Sequence, residues 1–174
     1  MGALNASSGE ISPPEHVTPA HDLSAFDCGE SGLNDWLRKR ALSNEESGAS
    51  RTYVVCSAGR VIGYYALASG AIALAAAPDR IRRNMPDPLP VIILGRLAVD
   101  LSWQGKTIGG SLLRDAILRV LQAAEIAGIR AILVHAISDG ARRFYDRYGF
   151  IASPLDPLTL MLSITGARRV LASS

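Results

Sequence analysis

The residues whose types and spacing first suggest chemistry are Gln104-Gly105-Lys106-Thr107-Ile108-Gly109-Gly110. They lie between an apolar run that ends at Val99 and an amphipathic stretch that begins at Ile108. Glycine lets a ligand approach the main chain, and the first turn of a helix offers N–H groups with no intrahelical acceptor, at the positive end of its dipole. Together these make an anion site suited to a pyrophosphate, with Lys106 adding a charge. On the glycines alone, an ordinary strand-to-helix turn is the competing reading. No Gly-Lys-Ser/Thr closes the segment, so it is not a Walker loop, and no Gly-x-Gly-x-x-Gly follows the strand as in a dinucleotide fold. Two cysteines, Cys28 and Cys56, cannot build a disulfide framework or a four-ligand zinc site, and no metal is expected. No carboxylate or histidine that could serve as a general base lies on the central strand before Asp100. His16 and His21 precede the first helix, and His135 in its apolar strand reads as a hydrogen-bonded core residue.

The elements that must position this loop follow from periodicity. Leu33, Trp36, Leu37 and Ala41 recur at helical spacing and Gly48 stops the run, predicting a helix over 31–47 with Trp36 in the core. Thr52–Ser57 and Val61–Leu74 read as two strands of a hairpin turning at Ala58-Gly59. The Pro-rich stretch 78–90 predicts an irregular excursion with one short helix. Val91–Val99 predicts a buried central strand. Ile108, Leu112, Leu113, Ile117, Val120 and Leu121 share one face of a long helix closed near Gly128. Ala131–Ala136 reads as a buried strand, Ser138 and Asp139 as caps of a helix reaching Tyr148, 150–152 as extended chain, and Thr159–Ile164 as a last strand. The order predicts a mixed α/β layer fold. We expect a loose arm over 1–15, a single domain over 16–166 and a C-terminal tail over 167–174.

Composition narrows the function classes. Of 174 residues, 48% are hydrophobic and 20% charged, which excludes a mostly disordered chain. No apolar run reaches the ~20 residues that span a bilayer (Val61–Ala77 comes closest, interrupted by Gly63, Ser69 and Gly70), and no signal-peptide pattern opens the chain, so a cytoplasmic protein without membrane contact is expected. Residues 1–30 hold five acids and no Lys or Arg; the rest carries 18 bases against 11 acids, a net charge of +7. All but Lys39 and Lys106 of the bases are arginine, the better fork for phosphate.

Gln104 and the glycine loop before a helix, followed by Ala141-Arg142-Arg143-Phe144-Tyr145-Asp146-Arg147-Tyr148-Gly149-Phe150, resemble the GCN5-related N-acetyltransferases (GNAT). A narrower resemblance runs through most of the chain, to the acetyltransferase toxins of type II toxin–antitoxin modules. It is carried by residues 21–29, Leu33-Asn34-Asp35-Trp36-Leu37, Ala49–Tyr53, Gly63–Leu67, Leu94–Asp100 and Ser153–Leu160. One departure is Thr107, which stands where the family's loop has its middle glycine. A β-carbon there would crowd the pyrophosphate or resist an unusual φ, weakening acetyl-CoA binding modestly.

The resemblance implies a GNAT-like, mostly antiparallel central sheet flanked by helices, with acetyl-CoA as cosubstrate. It implies that the main chain of Leu97, Ala98 and Val99 binds pantetheine and supplies an oxyanion donor, while Gln104, Gly105, Lys106, Thr107, Ile108, Gly109 and Gly110 hold the pyrophosphate. Tyr145 would protonate the departing thiolate, since a phenol with pKa near ~10 keeps its proton at neutral pH. The implied acceptor is the α-amine of aminoacyl-tRNA, and the effect is inhibition of translation. An α-amine with pKa near ~7.7–8.0 is partly neutral already, which suits an enzyme without a dedicated base. Candidate tRNA contacts are Arg38, Lys39, Arg40, Arg82, Arg83, Arg96, Arg142, Arg143 and Arg147, with Arg80 beside the Arg82-Arg83 pair. A homodimer and a ribbon-helix-helix antitoxin that carries operator-DNA binding are also implied. Two other readings stay open: acetylation of a small amine or protein N-terminus, and a non-catalytic CoA-binding regulatory module.

Overall fold

The computed structural model describes residues 10–173. Seven strands, β1 (Glu15–His16), β2 (Arg51–Ser57), β3 (Arg60–Ile72), β4 (Leu89–Val99), β5 (Ala131–His135), β6 (Ile151–Ser153) and β7 (Asp156–Ser163), form one sheet in the order β1-β2-β3-β4-β5-β7-β6. β4 and β5 run parallel. The β1–β2, β2–β3, β5–β7 and β6–β7 pairs are antiparallel. Six helices accompany them: α1 (Ser31–Lys39), α2 (Ala41–Ser47), α3 (Asp79–Arg82), α4 (Ile108–Ala124), α5 (Asp139–Asp146) and α6 (Ile164–Ala172). This is the expected mixed α/β architecture. None of the described helices is long and apolar enough to cross a membrane.

The chain clusters into two compact units. One unit comprises residues up to Leu67 together with Arg96–Asp115. Its hairpin turns where the sequence predicted: Ser57 pairs with Arg60, and Ala58 and Gly59 take φ of 53° and 81°. Two consecutive left-handed residues match the right-handed twist of the flanking strands. The helix expected over 31–47 is broken at Arg40, whose φ of −124° leaves the helical region, so α1 and α2 are separate helices. Leu37 before the break and Ala41 after it are both fully buried, against Phe26, Val54, Val61, Tyr64 and Ala98. Trp36 is half-buried rather than core: its ring stacks on Tyr64 at 6.0 Å, and the Arg96 guanidinium lies 4.4 Å above it. β1 has no periodic signal, being two exposed residues held by pairing with Val54 and Tyr53. Residues 1–9 of the expected loose arm lie outside the described residues. Within the remainder of that arm, Ser12 is tied down: its N–H donates to the Cys56 carbonyl, and its hydroxyl accepts from the Cys56 N–H.

The second unit comprises Ala68–Gly95 and the chain from Ala116 onward. Its core joins Ala77, Ile81, Leu89, Val91, Ala131, Leu133 and Met161. The Pro-rich excursion holds the expected short helix, α3, under which Ile81 is buried. The last strand begins at Asp156, earlier than expected. The expected tail from residue 167 is instead the body of α6, capped by the Ser163 hydroxyl, which accepts from the Gly166 N–H at 2.9 Å. Ala167 is its buried contact; one small apolar residue was too weak a signal to read as a helix. His135 is exposed, not core, because it closes β5 at the strand end. Its Nδ1 lies 3.0 Å from the Thr159 hydroxyl, which donates to Asp156.

Candidate active site

In the first unit the chain leaves β4 at Val99, makes a 3₁₀ turn at Leu101–Trp103, passes the glycine loop and enters α4. The turn is fixed by the buried Asp100 carboxylate, which accepts from the Ser102 N–H (2.9 Å) and from the Asp27 N–H (3.1 Å). Asp27 in turn accepts from the Gly29 N–H and the Asn34 side-chain amide, both at 2.9 Å, and these hydrogen bonds hold its carboxyl below the usual carboxylate range. The Leu101 N–H donates to the Asp27 carbonyl at 2.8 Å. Gln104 explains its own place in the motif. Its side-chain amide donates to the carbonyls of Cys28 (3.1 Å) and Val99 (2.9 Å), clamping the start of the loop to the end of the strand and to the 27–29 segment. This Asp27–Asn34–Asp100 buttress was missed in the sequence, because its partners are 73 residues apart and no local pattern marks them.

Two loop residues are left-handed: Gly105 at φ 78° and Thr107 at φ 66°. The family's glycine position thus demands the conformation that the threonine occupies against its steric preference. The Thr107 hydroxyl donates to the Lys106 carbonyl, and its own carbonyl accepts from the Ser111 N–H at 3.1 Å. That Ser111 bond is the first of α4, so the N–H groups of Ile108, Gly109 and Gly110 precede the intrahelical ladder. A β-carbon at Gly105 would meet nothing within 4 Å, so ligand atoms can approach its main chain. The donors present are therefore main-chain amides around a glycine-lined turn at the start of a 17-residue helix, which fits a diphosphate.

α4 is seated by Gly63 on β3. A β-carbon there would lie 3.1 Å from Leu112 and from Val55, and 3.4 Å from the Ala98 carbonyl. Ala98 is buried, while Leu97 and Val99 are half-buried. The Asp100 N–H donates to the Ile62 carbonyl at 2.8 Å. Among the expected RNA contacts in this unit, Arg38 donates to the Phe26 carbonyl at 2.7 Å and pairs with Asp35, which Lys39 also approaches. Arg40 is exposed at the helix break, and Arg96 lies on Trp36.

In the second unit, Ser138 caps α5 by accepting from the Ala141 N–H, and the helix carries Tyr145 inward. Tyr145 is 8% exposed, between Phe144 (5.1 Å) and Phe150 (5.4 Å), both edge-on. Burial raises its pKa above the ordinary phenol value, so the neutral, proton-bearing form is favoured. No hydrogen bond within the described residues engages its hydroxyl, which leaves the proton to a ligand. Around it, Arg143 on α5 and Arg147 at its C-cap are exposed, the latter 5.9 Å over the Phe144 ring. Arg142 is half-buried, with an Nε that has no hydrogen-bond partner. On α3, Arg82 is paired with Asp79, while Arg83, just past the helix end, is exposed. Cys28 and Cys56 are free, buried thiols whose pKa is raised by burial.

The amide turn in one unit and the proton-bearing phenol in the other are each groups that acetyl transfer uses, and the class itself, an acetyl-CoA-dependent N-acetyltransferase, is given by the family and the relatives. The profile of the acetyltransferase (GNAT) domain matches residues 48–152, and the chain belongs to that family. It is 56% identical over 160 residues to the tRNA-acetylating toxin of Mycobacterium tuberculosis (strain ATCC 25618 / H37Rv), covering 92% of this chain and 96% of the relative. Among solved structures it resembles AtaT complexed with acetyl-methionyl-tRNAfMet (TM-score 0.86, 29% identity, 93% of this chain and 99% of that one). It also resembles a tyrosine-to-phenylalanine mutant of AtaT bound to the C-terminus of the antitoxin AtaR and acetyl-CoA (TM-score 0.79, 28% identity, 92% and 98%).

Proposed function

We propose that this acetyltransferase transfers an acetyl group to the α-amine of aminoacyl-tRNA and so stops translation. The 56% identity to a tRNA-acetylating toxin, over 92% of the chain, carries this reading. Acetyl-CoA supplies the activated acyl group. In our reading the amides of Gly105, Thr107, Ile108, Gly109 and Gly110 bind its pyrophosphate, with Lys106 adding charge and Gln104 holding the loop. The main chain of Leu97–Val99 binds the pantetheine, and one of its N–H groups meets the developing oxyanion. A new N–C bond forms as the C–S bond breaks. The thiolate takes the phenolic proton of Tyr145, the proton shed by the amine passes to solvent, and solvent returns a proton to the phenolate, which burial disfavours. Loss of the amine proton needs no dedicated base when the nucleophile is an α-amine with pKa near ~7.7–8.0. The arginines of α5, beside Tyr145 in sequence, contact the RNA. The protein works as a cytoplasmic homodimer restrained by a ribbon-helix-helix antitoxin; the structure of AtaT with the antitoxin AtaR supports the antitoxin as a partner.

Incubation of the purified protein with labelled acetyl-CoA and total charged tRNA tests the reading. Label on the RNA, released by mild alkaline deacylation, is the expected result. Label only on protein or on small polyamines refutes it.

A further inference from the structure

The second unit holds a cavity of about 590 Å³ with no assigned role, walled by α3 and the residues after it, by the β6 and β7 chain, and by the start of α6. Three guanidinium side chains line it: Arg80, Arg83 and Arg169. None of the three has an ion-pair or side-chain hydrogen-bond partner among the described residues. No carboxylate lines the cavity. The contrast with Arg82 is instructive. Asp79, the acid of α3, is paired with Arg82, which leaves Arg80 on the same short helix and Arg83 just past its end unneutralised. Arg169 comes from α6, 86 positions further along the chain than Arg83, so the convergence is tertiary and not a run of basic sequence. Three like charges brought to one hollow repel one another, and the arrangement is stabilised when an anion enters. Guanidinium forks match phosphate oxygens two at a time, which favours phosphate over a simple counter-ion. The cavity is also far too large for one phosphate and falls in the range of about 300–1,000 Å³ that holds sizeable ligands.

We infer that Arg80, Arg83 and Arg169 form a phosphate-binding site for the RNA backbone, separate in sequence from the arginines of α5 that flank Tyr145. The site rests on the proposed tRNA substrate and deepens it. It holds the nucleic acid through its phosphates, independently of the amino acid attached. Its energy is therefore sequence-independent and salt-dependent.

The test uses uncharged tRNA as the probe, so that it does not depend on acetyl transfer. Affinity is measured by fluorescence anisotropy from 50 to 200 mM salt for the wild type and for the triple variant Arg80→Gln/Arg83→Gln/Arg169→Gln. Removing three phosphate contacts makes the log–log salt slope shallower by about 2.7, so raising the salt across that range costs the wild type about 40-fold more affinity than the triple variant. Arg168→Gln, which removes an exposed α6 charge outside the cavity, controls for net charge and should change the slope by much less. Should the triple variant fail to fold, the single variants Arg80→Gln and Arg83→Gln each lower the slope by about 0.9. Wild-type slopes in these variants overturn the inference, including when the substitutions instead release an acidic protein segment or a second copy of the chain. Failure of the substrate reading looks different: uncharged tRNA binds with the expected arginine dependence, but charged tRNA acquires no label.

Discussion

Gly63→Ala tests how the pyrophosphate loop is held in place. The added β-carbon would lie 3.1 Å from Leu112 Cδ1 and from Val55 Cγ2, against about 3.5–4.0 Å for relaxed carbon contacts. The third neighbour, 3.4 Å away, is the Ala98 carbonyl, which belongs to the backbone and cannot rotate aside. Leu112, Val55 and Ala98 are all buried, at 1%, 4% and 5% exposure, so nothing nearby yields into solvent. Overpacking of this kind costs about 1–3 kcal/mol. Restricting the unfolded chain offsets about 0.4–1 kcal/mol of that. The net loss is about 1–2 kcal/mol, a fall in Tm of about 3–6 °C for a chain of this size. Gly95→Ala is the matched control: also on a strand and free of positive φ, it meets nothing within 4 Å and should raise stability slightly. Leu112 sits one turn inside α4, so relief of the clash shifts the first-turn amides. A loss of about 0.5 kcal/mol in their hydrogen bonding raises the acetyl-CoA Kd a little over twofold. Thermal unfolding and isothermal titration measure both effects. A Gly63→Ala protein that melts at or above the wild-type temperature refutes the packing argument, and one that melts lower but binds acetyl-CoA normally refutes the link from this contact to the loop.

Tyr145→Phe should lower kcat by about 10²–10⁴ while leaving the acetyl-CoA Kd unchanged, as expected when a general acid is removed; equal turnover would remove Tyr145 from that role. Stability should change little, because the hydroxyl has no partner among the described residues. Burial raises the Tyr145 pKa, so in an ultraviolet titration this phenol ionises above the ordinary value near 10, and Tyr145→Phe removes one late-titrating tyrosine. An unchanged late phase would contradict its burial. Thr107→Gly should tighten acetyl-CoA binding, because glycine takes φ 66° without strain and takes a β-carbon out of the path of the diphosphate. Equal dissociation constants for the two proteins would show that the threonine is harmless.

Much of this protein could be read along the chain, because the signals are local. The hairpin turn puts two residues at positive φ, Ala58 and Gly59, and Gly59 takes that conformation without strain. The α4 stripe repeats every turn, and Ser138 announces the start of α5. The loop stood out because amide donors at a helix start are built from neighbouring residues, whereas Tyr145 was singled out by the resemblance of residues 141–150 to the family. What the sequence could not reveal depends on groups brought together across long separations. Asp100 fixes its turn partly through Asp27. Gln104 reaches back to Cys28. Gly63 is required because a leucine from α4 lands on it. His135 is exposed because the strand ends beneath it, and residues 164–172 are helical although a single small residue is fully buried there. The arginines show the division most plainly. Their number is a property of the sequence, but only folding decides that Arg82 is neutralised by Asp79 while Arg80, Arg83 and Arg169 share one hollow without an acid. Charge is carried by single residues, whereas electrostatic potential depends on the distances between them, and those distances exist only in the tertiary structure.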